Sequence, residues 1–283
     1  MVKIISDSTC DLSADLLKKY NIDVIPLFIR LSDEEYMDGI NVSPDEIYEW
    51  SDANHSTPQT AACSIEQAIM TFQPYVEQGR EVICFAISEA MSTTANSMRL
   101  AAEELEAEDK ITIVNSASLS TGVGLLVIEA AILAQQGKSA KEIVAHIEKI
   151  RPLVRASFVV DTLTYLHRGG RCSGIAALVG GTLKLHPQIV VEHGKMSPRK
   201  KYRGKMSKVL QNYVMDMEDA LKQAKTDRVF ITHSGCTQED INAVKSYLEG
   251  LQHFKEIHIT RAGGVISSHC GPGTLGVLFI ANE

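Results

Sequence analysis

The chain has 283 residues, of which 45% are hydrophobic and 22% are charged, a composition typical of a globular protein with one or two domains. Its net charge of −7 excludes a general affinity for nucleic acids or anionic membranes. No apolar run reaches the roughly 18 residues that a membrane-spanning helix needs. Six dispersed cysteines lack a CxxC pair and any metal-ligand spacing, so we expect reduced thiols, no metal site and a cytoplasmic protein.

Up to residue 150 the sequence repeats the order of apolar strand, polar turn and helix. The predicted strands are Lys3–Ile5, Val24–Leu31, Glu81–Ile87 and Ile111–Val114. Hydroxyl residues mark the predicted starts of the helices, at Ser13, Ser43, Ser64, near Ser120 and at Ser139. This alternation predicts a parallel sheet between two layers of helices, a three-layer α/β/α arrangement. Ligands of such folds bind at the carboxyl ends of the strands.

Hydroxyl side chains follow three of these strands, in the segments Ser6–Thr9, Ser88–Thr94 and Ser116–Ser118. Beside a helix N-terminus, where backbone N–H groups lack partners, hydroxyls favour an anion-binding site. Ordinary helix capping explains the same residues, and the sequence leaves both interpretations open. The segment 56–63, which contains Thr60, is predicted as a loop.

The sequence pattern changes near Arg151, where we expect the boundary between one domain at 1–150 and a second at 151–283. The second half contains a predicted hairpin that turns at His193–Gly194, and further predicted elements at 156–160, 174–183, 208–224, 229–232, 238–251, 256–259 and 276–281. Of these, 174–183, 208–224 and 238–251 are predicted helices. Hairpin and crossover connections together predict a mixed sheet with helices on one face. A cleft between the two domains is the expected binding site.

Two cationic segments lie in the second half. From Lys195 to Lys208 there are seven basic residues and no acidic one, which suits a solvated hairpin or a docking surface for an acidic partner. Nucleic-acid binding is less favoured because Tyr202 is the only aromatic residue there. The segment Arg168-Gly169-Gly170-Arg171 suits a carboxylate or phosphate group, and salt bridges between domains explain it equally well.

The stretch from Gly263 to Gly276 holds five glycines and a proline, so it is predicted to be neither helix nor strand. His269 lies in it among hydroxyl, thiol and glycine residues. We interpret this stretch as a wall of a ligand site, with a plain turn between strands as the alternative.

The enzyme motifs in the sequence are incomplete. Ser92 and His269 are candidates for a hydrolase, but there is no G-x-S-x-G segment and no acid that stands out as the partner of His269. P-loop and dinucleotide-binding fingerprints are both missing, because Gly122-Val123-Gly124 lacks the residues that complete either one.

Several longer motifs follow one another in the order of one known family. In the first half they are Ser6-Asp7-Ser8-Thr9-Cys10-Asp11-Leu12, Pro58-x-Thr60, Ile87-Ser88-x-x-Met91-Ser92-x-Thr94, and Asn115-Ser116 through Gly122-x-Gly124. In the second half they are Asp161-Thr162-Leu163-x-Tyr165-Leu166-x-Arg168-Gly169-Gly170-Arg171 and Gly264-Val265-Ile266-x-x-His269-x-Gly271-Pro272-Gly273. Together they resemble the DegV family, fatty-acid-binding proteins whose best-understood members are the FakB subunit of bacterial fatty acid kinase.

The resemblance implies two α/β domains with one long-chain fatty acid buried between them. It assigns the fatty acid carboxylate to four groups: Thr60, Ser92, the Thr93 amide and His269. It also implies that the chain is no enzyme and needs no cofactor, because a partner kinase of the FakA type transfers the γ-phosphate of ATP to the carboxylate. Arginines outside the pocket help the kinase to dock, and they correspond to Arg171 and Arg203.

The sequence departs from the family pattern in two places. One is Ala61-Ala62-Cys63, and the other is Thr93, which replaces the glycine that is usual in relatives. Thr60, Ser92 and His269 persist, so we expect the head-group site to persist while the acyl chain length stays open. Burying a carboxylate costs several kcal/mol unless donors replace its water, and a cationic His269 would serve best. A small hydrolase that uses Ser92 and His269, or a regulator that binds a small polar ligand, remain the alternatives.

Overall fold

The computed structural model describes residues 2–172, 174–175 and 185–283. In the first half the strands are β1 (Lys3–Asp7), β2 (Ile22–Ile25), β3 (Phe28–Leu31), β4 (Glu34–Met37), β5 (Gln59–Ala61), β6 (Val82–Ala86) and β7 (Ile111–Asn115). The helices there are α1 (Ala14–Tyr20), α2 (Pro44–Asn54), α3 (Ile65–Glu77), α4 (Thr94–Glu104), α5 (Thr121–Gln135) and α6 (Ala140–Ile150). The predicted helix over 174–183 lies largely outside the described residues.

The first half contains the predicted parallel sheet, in the strand order β2-β1-β6-β7. One face of the sheet, including Ile83 and Phe85, packs against α1, α5 and α6. The other face, including Val82 and Cys84, packs against α3 and α4. Side chains that alternate across each strand thus fill two cores, and the three-layer prediction is confirmed.

Local capping rules predicted the helix starts of this half well. Ser43, Ser64 and Ser139 each form a capping box with the residue three positions later, and Ser13 accepts a hydrogen bond from the Leu16 amide. Ser120 stands at the start of α5 but does not cap it with its side chain. Its hydroxyl is hydrogen-bonded to a carboxylate instead, as described below.

The predicted strand over 24–31 is in fact two strands in two sheets. It divides at Pro26, which cannot donate a backbone hydrogen bond to a neighbouring strand. β2 joins the parallel sheet, whereas β3 lies at the centre of a small antiparallel sheet in the order β4-β3-β5. The segment 56–63 was predicted as a loop, and this was wrong because it contains β5.

In the second half the strands are β8 (Val154–Val159), β9 (Leu185–Glu192), β10 (Lys195–Arg203), β11 (Ala224–His233), β12 (Glu256–Arg261) and β13 (Leu275–Ala281). The helices are α7 (Thr164–Gly169), α8 (Met206–Asp216), α9 (Glu218–Lys222), α10 (Gln238–Gly250) and α11 (Gly264–Cys270). The described residues form a sheet in the order β10-β9-β8-β13-β11-β12. β11 and β12 are parallel and the other pairs are antiparallel, which confirms the mixed sheet.

Helix α5 lies between the two large sheets. Its side chains from Leu125 to Ile128 are all fully buried, and they share one core with Phe230 and Leu278 of the second sheet. The opposite face of that sheet packs against α8 and α10. Although α5 is largely apolar, no helix in the described residues is long and apolar enough to cross a membrane. The domain boundary near residue 150 stays a prediction.

We expect Leu125→Ala to lower the free energy of unfolding by about 2–5 kcal/mol, because it leaves a cavity in the core that both sheets share. Leu100→Ala is the matched control, since Leu100 is 41% exposed, and it should change stability by less than about 0.5 kcal/mol. Urea unfolding of both variants measures the difference. Equal effects would contradict a shared core around α5.

Candidate functional site

His269 lies in a helix, and the prediction that the glycine-rich stretch contains no helix was wrong. Helix α11 covers Gly264–Cys270. Its glycines stand at the two ends: Gly264 is in the first turn, and Gly271 and Gly273 follow the helix with φ near +74°. Because the interior residues of the helix include no glycine, the entropy cost that argued against helix falls on the flanks.

Gly264 is needed for close packing. A Cβ atom at this position would lie 2.5 Å from Cδ1 of Ile29 and 2.8 Å from Cδ1 of Ile47, which is too close for either contact. Helix α11 therefore seats its N-terminus directly on β3 and α2 of the first half. This contact carries residues of the second half into a site built with the first.

His269 and Thr60 meet across the two halves. The distance between Nε2 of His269 and Oγ1 of Thr60 is 2.7 Å. Thr60 lies on β5, where it is paired with Ile29 of β3. The small antiparallel sheet thus sets the position of the Thr60 hydroxyl, and α11 sets that of the imidazole.

The other ring nitrogen of His269 faces Gly169 on α7. Nδ1 is buried without a hydrogen-bond partner among the described residues, and a Cβ atom at Gly169 would lie 2.4 Å from it. Gly271 packs in the same way on Tyr165. The arginine-containing motif and the His-x-Gly-Pro-Gly motif are therefore packed against each other, and their glycines allow the close approach.

Burial, and to a lesser degree the positive charge of Arg171, together lower the pKa of His269 to about 4. In the ligand-free protein the imidazole is therefore neutral at pH 7, and it is not the cation that would bind a carboxylate best. An N–H group without a partner is rarer in proteins than an unpaired acceptor, so we assign the proton to Nε2, where Thr60 or a ligand oxygen can accept it.

Ser92 and Thr93 stand immediately before α4. The Ser92 hydroxyl lies 2.8 Å from Oγ1 of Thr94 and accepts a hydrogen bond from the Thr94 amide at 3.3 Å. Thr93 is the N-cap residue, is exposed and makes no side-chain capping bond. The first N–H groups of a helix have no acceptor within it, so this end of α4 is suited to hold an anion.

A cavity of about 480 Å³ brings the predicted residues together. Thr60, Ser92, Thr93 and His269 all line it. Apolar side chains form much of the rest of its wall, namely Leu27, Ile87, Met91, Leu119, Val265 and Ile266. The cavity therefore combines a cluster of hydrogen-bonding groups with an apolar surface.

The two predicted docking arginines lie in different places. Arg171 was expected outside the pocket, but it lines the cavity and donates a hydrogen bond to the Gly169 carbonyl oxygen at 2.7 Å. Arg203 is exposed at the end of β10 and does not line the cavity. Arg171 therefore adds a positive charge beside His269, and Arg203 does not.

The hydroxyl groups of Ser8 and Ser116, which follow the other two strands, form hydrogen bonds within the protein. The Ser8 hydroxyl donates to the carboxylate of Asp38 at 2.8 Å. The Ser116 hydroxyl is bonded to the backbone of Ser118. Of the three hydroxyl-rich segments, only the one with Ser92 lines this cavity.

The described residues do not form the Ser–His–acid relay of a serine hydrolase. Ser92 is hydrogen-bonded to Thr94, and His269 to Thr60. Nδ1 of His269, where an orienting acid would bind, faces Gly169 instead. The hydrolase alternative thus lacks support from the geometry.

Sequence reasoning missed several residues of the site. Gly169 was noted only as part of a turn between arginines, and its role as the surface beneath the imidazole depends on how α7 packs. Leu119 and Ile266 meet in the cavity wall although 147 residues separate them in the chain. No local pattern marks such wall residues, whereas Thr94 stands in the motif Ser92-x-Thr94, and only its role as the hydrogen-bond partner of Ser92 was not predicted.

Comparison with known proteins identifies the family. A family model described as "Uncharacterised protein, DegV family" matches residues 1–282. The chain belongs to the DegV family. A DegV domain-containing protein of Deinococcus radiodurans is 32% identical over 276 residues, which cover 98% of this chain and 97% of that protein.

Solved structures of DegV proteins have the same fold. One from Thermus thermophilus, described by its fatty acid binding, superposes with a TM-score of 0.91 at 29% identity and covers 99% of both chains. A stearic acid-binding protein from Eubacterium ventriosum superposes with a TM-score of 0.87 at 27% identity, over 99% of this chain and 98% of that one. These matches confirm the family and the two-domain α/β fold class that the motifs predicted.

The low pKa of His269 predicts acid sensitivity. Between about pH 6.5, the ordinary pKa of histidine, and pH 4, the unfolded chain binds a proton that the folded protein excludes, so stability falls as the pH falls through this window. From pH 7 to pH 5, wild type should lose about 1–2 kcal/mol more than His269→Gln, measured by urea unfolding. Because both proteins contain the other buried titratable groups, the contribution of those groups to the pH dependence cancels in the comparison. An imidazole that titrates near pH 6.5 by NMR would contradict this assignment.

Proposed function

We propose that this protein binds a long-chain fatty acid, with the carboxylate at Thr60, Ser92 and His269 and the acyl chain along the apolar wall. The cavity that joins these three side chains to an apolar surface carries the proposal. Solved structures of relatives at 29% and 27% identity, described as binding fatty acid and stearic acid, support it. A small ligand without an apolar chain would leave the apolar wall unused.

The carboxylate can replace its water with protein donors. The Thr60 and Ser92 hydroxyls, the Thr93 amide and the Nε2–H group of His269 offer four donors toward two oxygens. A hydrogen bond to a charged group contributes about 1.5–3 kcal/mol. The neutral His269 leaves Arg171 as the positive charge on the cavity wall, which favours an ionised ligand.

The acyl chain supplies the rest of the affinity. Each CH₂ group removed from water contributes roughly 0.8 kcal/mol, so a long chain binds tightly with few polar contacts.

We also propose that the bound carboxylate is presented to a separate kinase that uses ATP. In that reaction a carboxylate oxygen forms a bond to the γ-phosphorus, the bond from the γ-phosphorus to ADP breaks, and an acyl phosphate results. This chain would only hold and expose the carboxylate, so it would perform no bond-making step of its own and would need no cofactor.

The basic hairpin of β9 and β10 is the proposed docking surface for this kinase. Salt bridges pair Arg199 with Glu192 and Lys200 with Asp216. Lys195, Lys201 and Arg203 are exposed, and within the described residues they form no salt bridge, so the hairpin presents a net positive charge. An acidic surface on the kinase would complement it.

Native mass spectrometry of protein purified from bacteria tests the first proposal. We expect a co-purified fatty acid in wild type and a much lower occupancy in Thr60→Ala. A protein that is empty, or that carries a small polar molecule instead, would contradict fatty acid binding. Denaturing extraction followed by lipid analysis identifies the acyl chain.

Variants separate binding from presentation. We expect His269→Ala and Arg171→Ala to weaken fatty acid binding about tenfold or more, because each removes a group of the carboxylate site. Arg203→Ala should leave binding unchanged and slow acyl phosphate formation by an added FakA-type kinase. Lys141→Ala removes one exposed charge from α6 and serves as the control, with both properties unchanged. Equal loss of binding in Arg203→Ala and His269→Ala would contradict the separation.

A further inference from the structure

Two buried carboxylates hold the N-terminus of α11, although neither lines the cavity described above. Asp11 follows the 3₁₀ turn Ser8–Cys10, and Asp38 follows β4. They are only 6% and 4% exposed. A buried carboxyl group is costly unless it is hydrogen-bonded, so its partners indicate its purpose.

One oxygen of each carboxylate accepts a hydrogen bond from the start of α11. Oδ1 of Asp11 accepts from the Gly263 amide at 2.8 Å, and Oδ1 of Asp38 accepts from the Gly264 amide at 2.7 Å. These amides belong to the N-cap and the first residue of the helix, where N–H groups have no acceptor within it. Asp11 and Asp38 thus cap α11, although they precede these amides by 252 and 226 positions in the chain.

The second oxygen of each carboxylate is fixed by a serine hydroxyl. Oδ2 of Asp11 lies 2.5 Å from the Ser120 hydroxyl at the start of α5, and Oδ2 of Asp38 lies 2.8 Å from the Ser8 hydroxyl. Ser8 is itself held because its oxygen accepts from the Leu27 amide at 3.2 Å. Each carboxyl group is therefore fixed on both sides and cannot follow the helix if it shifts.

Close packing also sets how near the N-terminus of α11 lies to the two carboxylates. Cβ atoms at Gly263 and Gly264 would lie 3.2 Å from Oδ1 of Asp11 and 3.0 Å from Oδ1 of Asp38. Glycine at both positions leaves room for the backbone of α11 to approach the carboxylates this closely. The hydrogen bonds and the glycine contacts restrict the same end of the helix.

We propose that Asp11 and Asp38 are positioning residues of the head-group site, which set the tilt of α11 and hence the position of Nε2 of His269 opposite Thr60. This inference rests on the proposed carboxylate site. His269 is five residues beyond Gly264, about 7.5 Å along the helix axis. A tilt of about 10–20° at the N-terminus moves the imidazole by roughly 1–3 Å, enough to break its 2.7 Å contact with Thr60.

The role requires an acceptor oxygen and not a negative charge. Burial raises the pKa of Asp11 to about 8 and also raises that of Asp38. The serine hydroxyls can donate or accept, so an asparagine amide can satisfy the same partners. Asparagine at either position should therefore preserve the position of the helix, whereas alanine removes the acceptor.

The test compares Asp11→Ala and Asp38→Ala with Asp11→Asn and Asp38→Asn. We expect the alanine variants to bind palmitate about tenfold more weakly, and their His269 ring ¹⁵N resonances to shift in the ligand-free protein as the imidazole leaves Thr60. The asparagine variants should keep the wild-type affinity and the wild-type resonances. Folded alanine variants with unchanged resonances, or asparagine variants no better than alanine, would overturn the inference.

Asp23→Ala is the control for a loss of stability alone. Asp23 lies on the edge strand β2, forms a salt bridge with the buried Lys3 and does not line the cavity. This variant should unfold at a lower temperature and leave the His269 resonances in place. A matching shift in Asp23→Ala would show that any destabilisation moves the ring, and would also overturn the inference.

Two further measurements keep the test decisive. If an alanine variant does not fold, Ser8→Ala and Ser120→Ala loosen the same carboxylates more gently, and they should shift the same resonances. The NMR comparison is made without ligand, so it still tests the positioning role if wild type binds no palmitate. In that case the proposed function fails and the positioning result is judged separately.

Discussion

The seating of α11 on the first half of the chain is the constraint on which the site depends. This helix belongs to the second half, yet its N-terminus is capped by Asp11 and Asp38 and rests on Ile29 through Gly264. Its other end places His269 between Thr60 and α7. The hydrogen bonds of the cap are directional and the glycine contact is short-range, so together they tolerate little change in the angle between the two halves.

Desolvation governs the electrostatics of this region. It lowers the pKa of His269 and raises the pKa of Asp11, so burial favours the neutral form of both side chains. Arg171 is exposed at the cavity wall. The site thus combines neutral donors with the cation of Arg171, whereas the carboxylate of Glu89 on the same wall is paired with Arg99. That arrangement suits an anion with a long apolar body better than it suits acid–base chemistry, because His269 lacks an acidic partner among the described residues.

Local rules succeeded where the determinants lie close together in the chain. The capping boxes at Ser43, Ser64 and Ser139 need only residues three positions apart, and all three were predictable. The parallel sheet followed from the alternation of strands and helices. The same rules failed for β5, which exists because β3 offers it a partner. They failed for α11 because glycines that usually oppose helix here occupy its ends and permit close packing.

The family, the fold class and the candidate head-group residues could be predicted from the sequence, since motifs and spacing are properties of the chain alone. The contact between Thr60 and His269, the neutral imidazole and the place of Arg171, but not Arg203, on the cavity wall follow only from the folded structure. Contacts and pKa values depend on distance and burial, and residues 209 positions apart become neighbours only when the chain folds. The glycine-rich stretch illustrates both cases, because its motif indicated the family whereas its helix could not be predicted from the sequence.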